Sequence, residues 1–205
     1  MTHTRGDDRP RCEVTIWFDT VCPFSRNATR WLAAVAERTG WAIDWRLMSL
    51  TVLNEGRELP PPQQTRMRDS RQIGRLMAAI AREAGTAGRT AAYFAFGERY
   101  FERCEPVDAD LVANVLTTVG AGGAAAVAVA DDSLDESIRH QHQAGQDAPG
   151  ETEGSPILRI DGRTFFGPVL TALPTPEMTT PLFDAVATLA ATPHFTQLQR
   201  PSTAA

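Results

Sequence analysis

The chain has 205 residues, of which 42% are hydrophobic, and a formal net charge of −5. That is enough apolar material for one sizeable core and a smaller lobe, while an acidic balance with dispersed basic residues excludes a nucleic-acid partner, which requires a concentrated basic face. All 20 basic residues are arginine, so lysine Schiff-base chemistry is excluded as well.

The stretch from Met1 to Arg11 is polar and lacks the apolar run of a signal peptide, and no later run is long enough to span a bilayer. A cytoplasmic location without a membrane partner is therefore expected, with residues 1–11 and 196–205 as flexible tails. Trp17-Phe18-Asp19-Thr20 reads as the end of a buried strand, and Val21-Cys22-Pro23-Phe24-Ser25 as a turn that opens a helix. Between Arg26 and Glu37 the apolar residues Ala28, Trp31, Leu32, Val35 and Ala36 recur at helical spacing. Cys22 thus meets unpaired backbone N–H groups and the positive end of a helix dipole, which favour thiolate and are expected to lower its pKa. Pro23 suits the first turn, and Ser25 offers a hydroxyl and a backbone donor toward the sulfur. Asp19, just before this turn, can serve proton transfer or cap the turn.

A second strand is expected over residues 42–48. Asn54, Glu55 and Arg57 follow it in a loop, where Asn54 either hydrogen-bonds a bound thiol or substrate or simply forms a turn. The prolines Pro60, Pro61 and Pro62 break the chain there. Helices are then expected over residues 66–84, 91–101, 108–119, 121–130 and 133–144, with Ser133 as a cap. His140 and His142 stand two apart at the end of the last of these and are expected to face solvent. No feature places a histidine beside Cys22. Near the C-terminal end, Ser155-Pro156 opens a strand over 157–160, and the Asp161-Gly162 turn leads into a partner strand over 164–166. Pro156 is compatible with a cis peptide that would turn the Ser155 backbone toward the cysteine. A last helix is expected over 181–191.

The Cys22 helix and the Pro156 hairpin together resemble the thioredoxin fold, specifically its DsbA-like branch, an α/β thioredoxin fold with an inserted α-helical domain. That resemblance implies a core in two parts, 12–60 and 151–195, around a helical domain over 61–150. A closer resemblance covers nearly the whole chain. It is carried by Trp17-Phe18-Asp19, Met48-Ser49-Leu50, Val52-Leu53-Asn54-Glu55, Phe165-Phe166-Gly167-Pro168-Val169-Leu170 and Pro193-His194-Phe195, and it is to the actinobacterial mycothiol-dependent reductases, also called mycothiol-dependent nitroreductases. It implies mycothiol or another low-molecular-weight thiol as cosubstrate. The nucleophile would be Cys22, assisted by Ser25, with Pro23, Phe24, Asn54, Ser155 and Pro156 lining the thiol site. The partners so implied are a small thiol and a disulfide or electrophilic organic substrate; a homodimer is compatible with this picture. No cysteine and histidine spacing resembles a metal site.

Two departures bear on mechanism. Where that family commonly has tryptophan and a second cysteine in the motif, this chain has Phe24 and Ser25, so no intramolecular disulfide can close there. A tyrosine expected after the Asn54 segment is absent from residues 59–64. Of the other two cysteines, Cys12 precedes a strand that Cys22 follows, roughly 20 Å away at about 3.3 Å per residue, beyond bridging distance. Cys104 ends a helix in the inserted lobe and is expected to be a bystander, with a role as resolving thiol left open. The leading expectation is a monothiol oxidoreductase. The alternatives are a thiol transferase or isomerase acting on an electrophilic ring compound, as the kappa-class glutathione transferases and 2-hydroxychromene-2-carboxylate isomerases suggest, and a binding protein that has lost redox turnover.

Overall fold

The computed structural model describes residues 12–150 and 154–200. Its centre is a four-stranded sheet in the order β2-β1-β3-β4, formed by β1 (Val14–Phe18), β2 (Ile43–Leu47), β3 (Ile157–Ile160) and β4 (Arg163–Phe166). Parallel pairing joins β1 to β2, while β1 with β3 and β3 with β4 run antiparallel. Every residue of β1 is buried, as a central strand covered on both faces requires.

Alternation along β1 decides what each face meets. Val14, Ile16 and Phe18 enter the main core together with Trp31, Leu32 and Val35 of helix α1 (Pro23–Thr39). Trp17 points the other way, into a small cluster with Met48 and Ile157. There it lies so close to Gly145 of α5 (Asp135–Asp147) that an added Cβ would stand 2.9 Å from the indole ring. α1 ends at Gly40, whose φ of 71° supplies the left-handed residue that closes the helix. Trp31 ties α1 to the last helix, α6 (Thr179–Ala191), by donating its ring N–H to the Thr179 carbonyl at 2.9 Å. Truncating a fully buried side chain such as Leu32 to alanine would cost about 2–5 kcal/mol.

After β2 a single turn of helix, α2 (Leu50–Leu53), precedes the long α3 (Pro61–Gly97). The two helices expected over 66–84 and 91–101 are both present within this range, meeting at Gly85, whose backbone is not helical (φ 69°, ψ −172°), and the second is continued by a π-helical turn, Glu98–Glu102. The second and third prolines begin α3 rather than break it, because the first helical turn needs no N–H from them. α4 (Ala109–Val119) follows with Asp108 as its cap. The expected α-helix over 121–130 is instead a 3₁₀ helix, Gly123–Ala130, in an alanine- and glycine-rich stretch with little amphipathic character. Ser133 lies in a further 3₁₀ turn, Asp132–Leu134, where it donates its N–H to Asp131, and α5 starts after it without a side-chain cap. The hairpin and its Asp161-Gly162 turn form as expected, both turn residues having positive φ.

Candidate active site

The carboxylate of Asp19 organises the end of β1. Its Oδ1 accepts the Val21 N–H at 2.8 Å, and its Oδ2 accepts the Leu50 N–H at 2.8 Å and the Ser70 hydroxyl at 2.6 Å. Asp19 is fully buried; burial pushes its pKa up, and those three donors pull it down. Removing the carboxylate would leave buried donors unpaired at about 1–3 kcal/mol each. Of its two sequence readings, the geometry fits a clamp that holds the turn, α2 and α3 together.

Cys22 is the N-cap residue of α1, with extended backbone (φ −80°, ψ 119°), and Pro23 takes the first helical position. The Cys22 residue is only 4% exposed, and its Sγ donates to the Ser155 carbonyl at 3.3 Å. Burial pushes its thiol pKa up; the Ser25 N–H opposes this, the Asp19 charge adds to it, and the Ser25 hydroxyl and the Phe24 N–H again oppose. The net direction is upward, which corrects the expectation of a lowered pKa. Helix-terminal donors are present as the sequence implied, but the depth at which packing sets the sulfur outweighs them.

The Ser155-Pro156 peptide, for which the sequence left cis and trans open, is cis, and so is Gly167-Pro168. Ser155 reaches the cysteine turn at three points. Its carbonyl accepts from Cys22, its Oγ accepts the Asp19 N–H at 2.9 Å, and the same Oγ shares a hydrogen bond of 2.6 Å with the Ser25 hydroxyl. Cys22, Pro23, Ser25, Ser155 and Pro156, 130 residues apart in the chain for the Ser25 and Ser155 pair, therefore form one constellation. Phe24, 39% exposed, is the apolar surface beside it.

Asn54 is positioned differently. It ends α2, and its amide donates to the Leu50 carbonyl at 2.8 Å and faces the Met67 sulfur at 3.6 Å. It lines an open hollow of ≈ 670 Å³ with Glu55, Arg57, Glu58 and Gln64. Among the described residues, no hydrogen bond joins Asn54 to Cys22. Most of the side chains lining this hollow are polar or charged.

Two residues escaped the sequence. Arg26, one turn beyond Cys22, is buried and makes a bidentate pair with Glu102, its nitrogens 3.0–3.2 Å from the carboxylate. Gly97 makes room for that guanidinium, since a Cβ there would sit 2.4 Å from its Nη1. Nothing in α1 announces a partner 76 positions away. His142 is buried rather than solvent-facing: its Nδ1 accepts the Ser49 N–H at 3.4 Å, and burial lowers its pKa. The three cysteines form no disulfide, and Cys104 is exposed at the end of the π-helical turn. Among the described residues, no group of three or more histidine, cysteine or acidic side chains could hold a metal, and no helix is long and apolar enough to cross a membrane.

Comparison with known proteins places this geometry. A family model described as Rv2466c-like, mycothiol-dependent nitroreductase Rv2466c, matches residues 21–200. The uncharacterized protein Rv2286c of Mycobacterium tuberculosis is 30% identical over 194 residues, 94% of this chain and 83% of that protein. Among solved structures, the probable DsbA oxidoreductase SCO1869 from Streptomyces coelicolor superposes with a TM-score of 0.57 at 20% identity, covering 94% of this chain and 95% of the other. A 2-hydroxychromene-2-carboxylate isomerase gives 0.58 at 19% identity, with 86% and 95% covered. At these identities the structures speak for the fold, which is the DsbA-like thioredoxin fold.

Proposed function

Since the chain belongs to the Rv2466c-like family of mycothiol-dependent nitroreductases, we propose that it is a monothiol oxidoreductase whose nucleophile is Cys22. The observation that carries this reading is the seat of the Cys22 sulfur between the N-terminus of α1 and the carbonyl before a cis-proline, with Ser25 where a second thiol would stand. Cys22 attacks one sulfur of a disulfide substrate, forming a Cys22–substrate disulfide; the displaced thiolate takes up the proton that the thiol gave up. Ser25 cannot attack that bond, so the enzyme is released by a second molecule. The low-molecular-weight thiol, mycothiol or a comparable one, supplies the second sulfur and the reducing electrons. Electrophilic organic substrates would be taken at the same sulfur, in the cytoplasm, where thiol pools are kept reduced.

The raised Cys22 pKa and the isomerase-like neighbour favour a second reading, a transferase or isomerase that adds a small thiol to an electrophilic ring without net redox change. Incubation with mycothiol and a quinone separates the two. Hydroquinone together with oxidised thiol supports the reductase, whereas a thiol–quinone conjugate as the sole product overturns it.

A further inference from the structure

The hydrogen bonds around Ser155 have a polarity, and it is set by a group that has no choice. The Asp19 N–H can only donate, so Ser155 Oγ must accept there. Ser155 has a single hydroxyl proton, and its one other described side-chain partner is Ser25 Oγ at 2.6 Å. If Ser25 donated across that bond, Ser155 would accept twice and its own proton would have no acceptor among the described residues. The reverse arrangement satisfies both hydroxyls: Asp19 N–H donates to Ser155, Ser155 donates to Ser25, and the Ser25 proton is left to turn toward the sulfur.

The Cys22 thiol and thiolate need different neighbours. As a thiol, Sγ donates to the Ser155 carbonyl at 3.3 Å. Once deprotonated it faces that carbonyl's lone pairs, with the Ser25 and Phe24 N–H groups as its backbone donors and the Ser25 hydroxyl as a side-chain donor. Resting on the reading of Cys22 as the nucleophile, we infer that Ser155 is a positioning residue for the thiolate: its hydroxyl, oriented by the Asp19 N–H, fixes Ser25 as a donor to the Cys22 sulfur. The chain of hydroxyls holds the charge and does not carry the proton away; that proton leaves to solvent. Ser155 thereby serves the thiol through its carbonyl and the thiolate through its side chain. The other titratable groups facing the sulfur are Asp19, from the end of β1, and Tyr93, from α3, whose hydroxyl is engaged with Thr29 Oγ1 at 3.0 Å. An aspartate and a phenol offer no positive charge to do this work.

The test is the pH profile of iodoacetamide alkylation of Cys22, in full-length protein carrying Cys12→Ser and Cys104→Ser. Ser155→Ala keeps the carbonyl and loses the hydroxyl, and should slow alkylation near neutral pH by about tenfold, the scale of one hydrogen bond to a charged group. Ser155→Gly should do the same, which covers the case of an alanine variant that does not fold, and Ser155→Thr should restore the rate. In a Ser25→Ala background Ser155→Ala should have no further effect, because the two hydroxyls act as one path. An unchanged profile in both Ser155→Ala and Ser155→Gly, or a full additional loss in the Ser25→Ala background, overturns the inference while Cys22 stands as nucleophile. A parent protein whose Cys22 resists alkylation even in strong alkali overturns the nucleophile itself.

Discussion

The two ends of β1 each present a cysteine, and burial pushes both thiols up, but among different neighbours. Cys12, just before the strand, has its thiol pushed up by burial, then by the charge and hydrogen bonding of Asp161 and the charge of Asp184. Cys22, beyond the other end, is also pushed up by burial, but Ser25 and Phe24 N–H groups and the Ser25 hydroxyl oppose it. Both sulfurs rest as thiols. What distinguishes Cys22 is the set of N–H and hydroxyl donors from Ser25 and Phe24 that face its sulfur. Depth by itself does not make a nucleophile, and on this strand it does not forbid one either.

That contrast can be broken most severely at the sulfur. Cys22→Ser should reduce thiol-dependent reduction by at least about a hundredfold, whereas Cys12→Ser should leave it unchanged; equal losses would show that the two sites are not distinct. Next in size, Glu102→Gln should strand the buried Arg26 guanidinium and loosen α1. By analogy with broken buried pairs the cost is about 3–5 kcal/mol, reduced to about 2 kcal/mol because the Glu102 side chain is 35% exposed. A urea unfolding midpoint that does not move would dispose of the anchoring role. Ser25→Cys should let a motif disulfide form, so that mild oxidation lowers the titratable thiols by two, and an unaltered count would contradict the assigned geometry.

A smaller effect sharpens the comparison from the Cys12 side. Asp161→Asn keeps the turn residue and the acceptor for the Glu13 N–H while removing a charge that raises the Cys12 thiol; the Cys12 titration should move to lower pH and that of Cys22 should stay. The smallest effect concerns His142. Its pKa in the folded protein lies below the ordinary 6.5, so as pH falls past that value the unfolded chain binds the proton first. Stability present above about pH 6.5 is then lost progressively until the folded value is reached. His142→Gln should flatten the fall in urea midpoint between about pH 7 and about pH 5.5; an unchanged slope would assign the loss to other groups.

The legible parts of this molecule were those written in short range. The Trp17-to-Ser25 segment announced a strand, a turn and a helix start, and Asp161-Gly162 announced a hairpin, because each signal is confined to a few neighbouring residues. The Ser155-Pro156 dipeptide alone favoured trans, the majority state of such bonds, and did not announce the cis bond found. The depth of Cys22 was not legible, since it depends on the Ser155 carbonyl arriving from 133 positions away. His142 was misplaced for the same kind of reason: its helix has polar residues on most sides, and only the docking of α5 against the Trp17 face of the sheet turns it inward. The break between the two helical segments of α3 was legible as well, because it falls at Gly85, where the backbone takes a positive φ. Asn54 was an even choice between turn and ligand, and its amide is taken up by the backbone of α2 and Met67.

With Cys22 as the proposed monothiol nucleophile, Ser25 also determines what the protein can measure. A motif with two thiols closes on itself and expels two small thiols for each disulfide consumed, so its oxidised fraction depends on the square of the thiol concentration and changes when the whole pool is diluted. With a serine at position 25, Cys22 can only exchange one partner for one: a disulfide goes in, one thiol comes out. The fraction of Cys22 held as a mixed disulfide then follows the plain ratio of oxidised to reduced small thiol, whatever the size of the pool. Loss of one sulfur atom converts a site sensitive to how much thiol the cell holds into one sensitive to how much of it is oxidised.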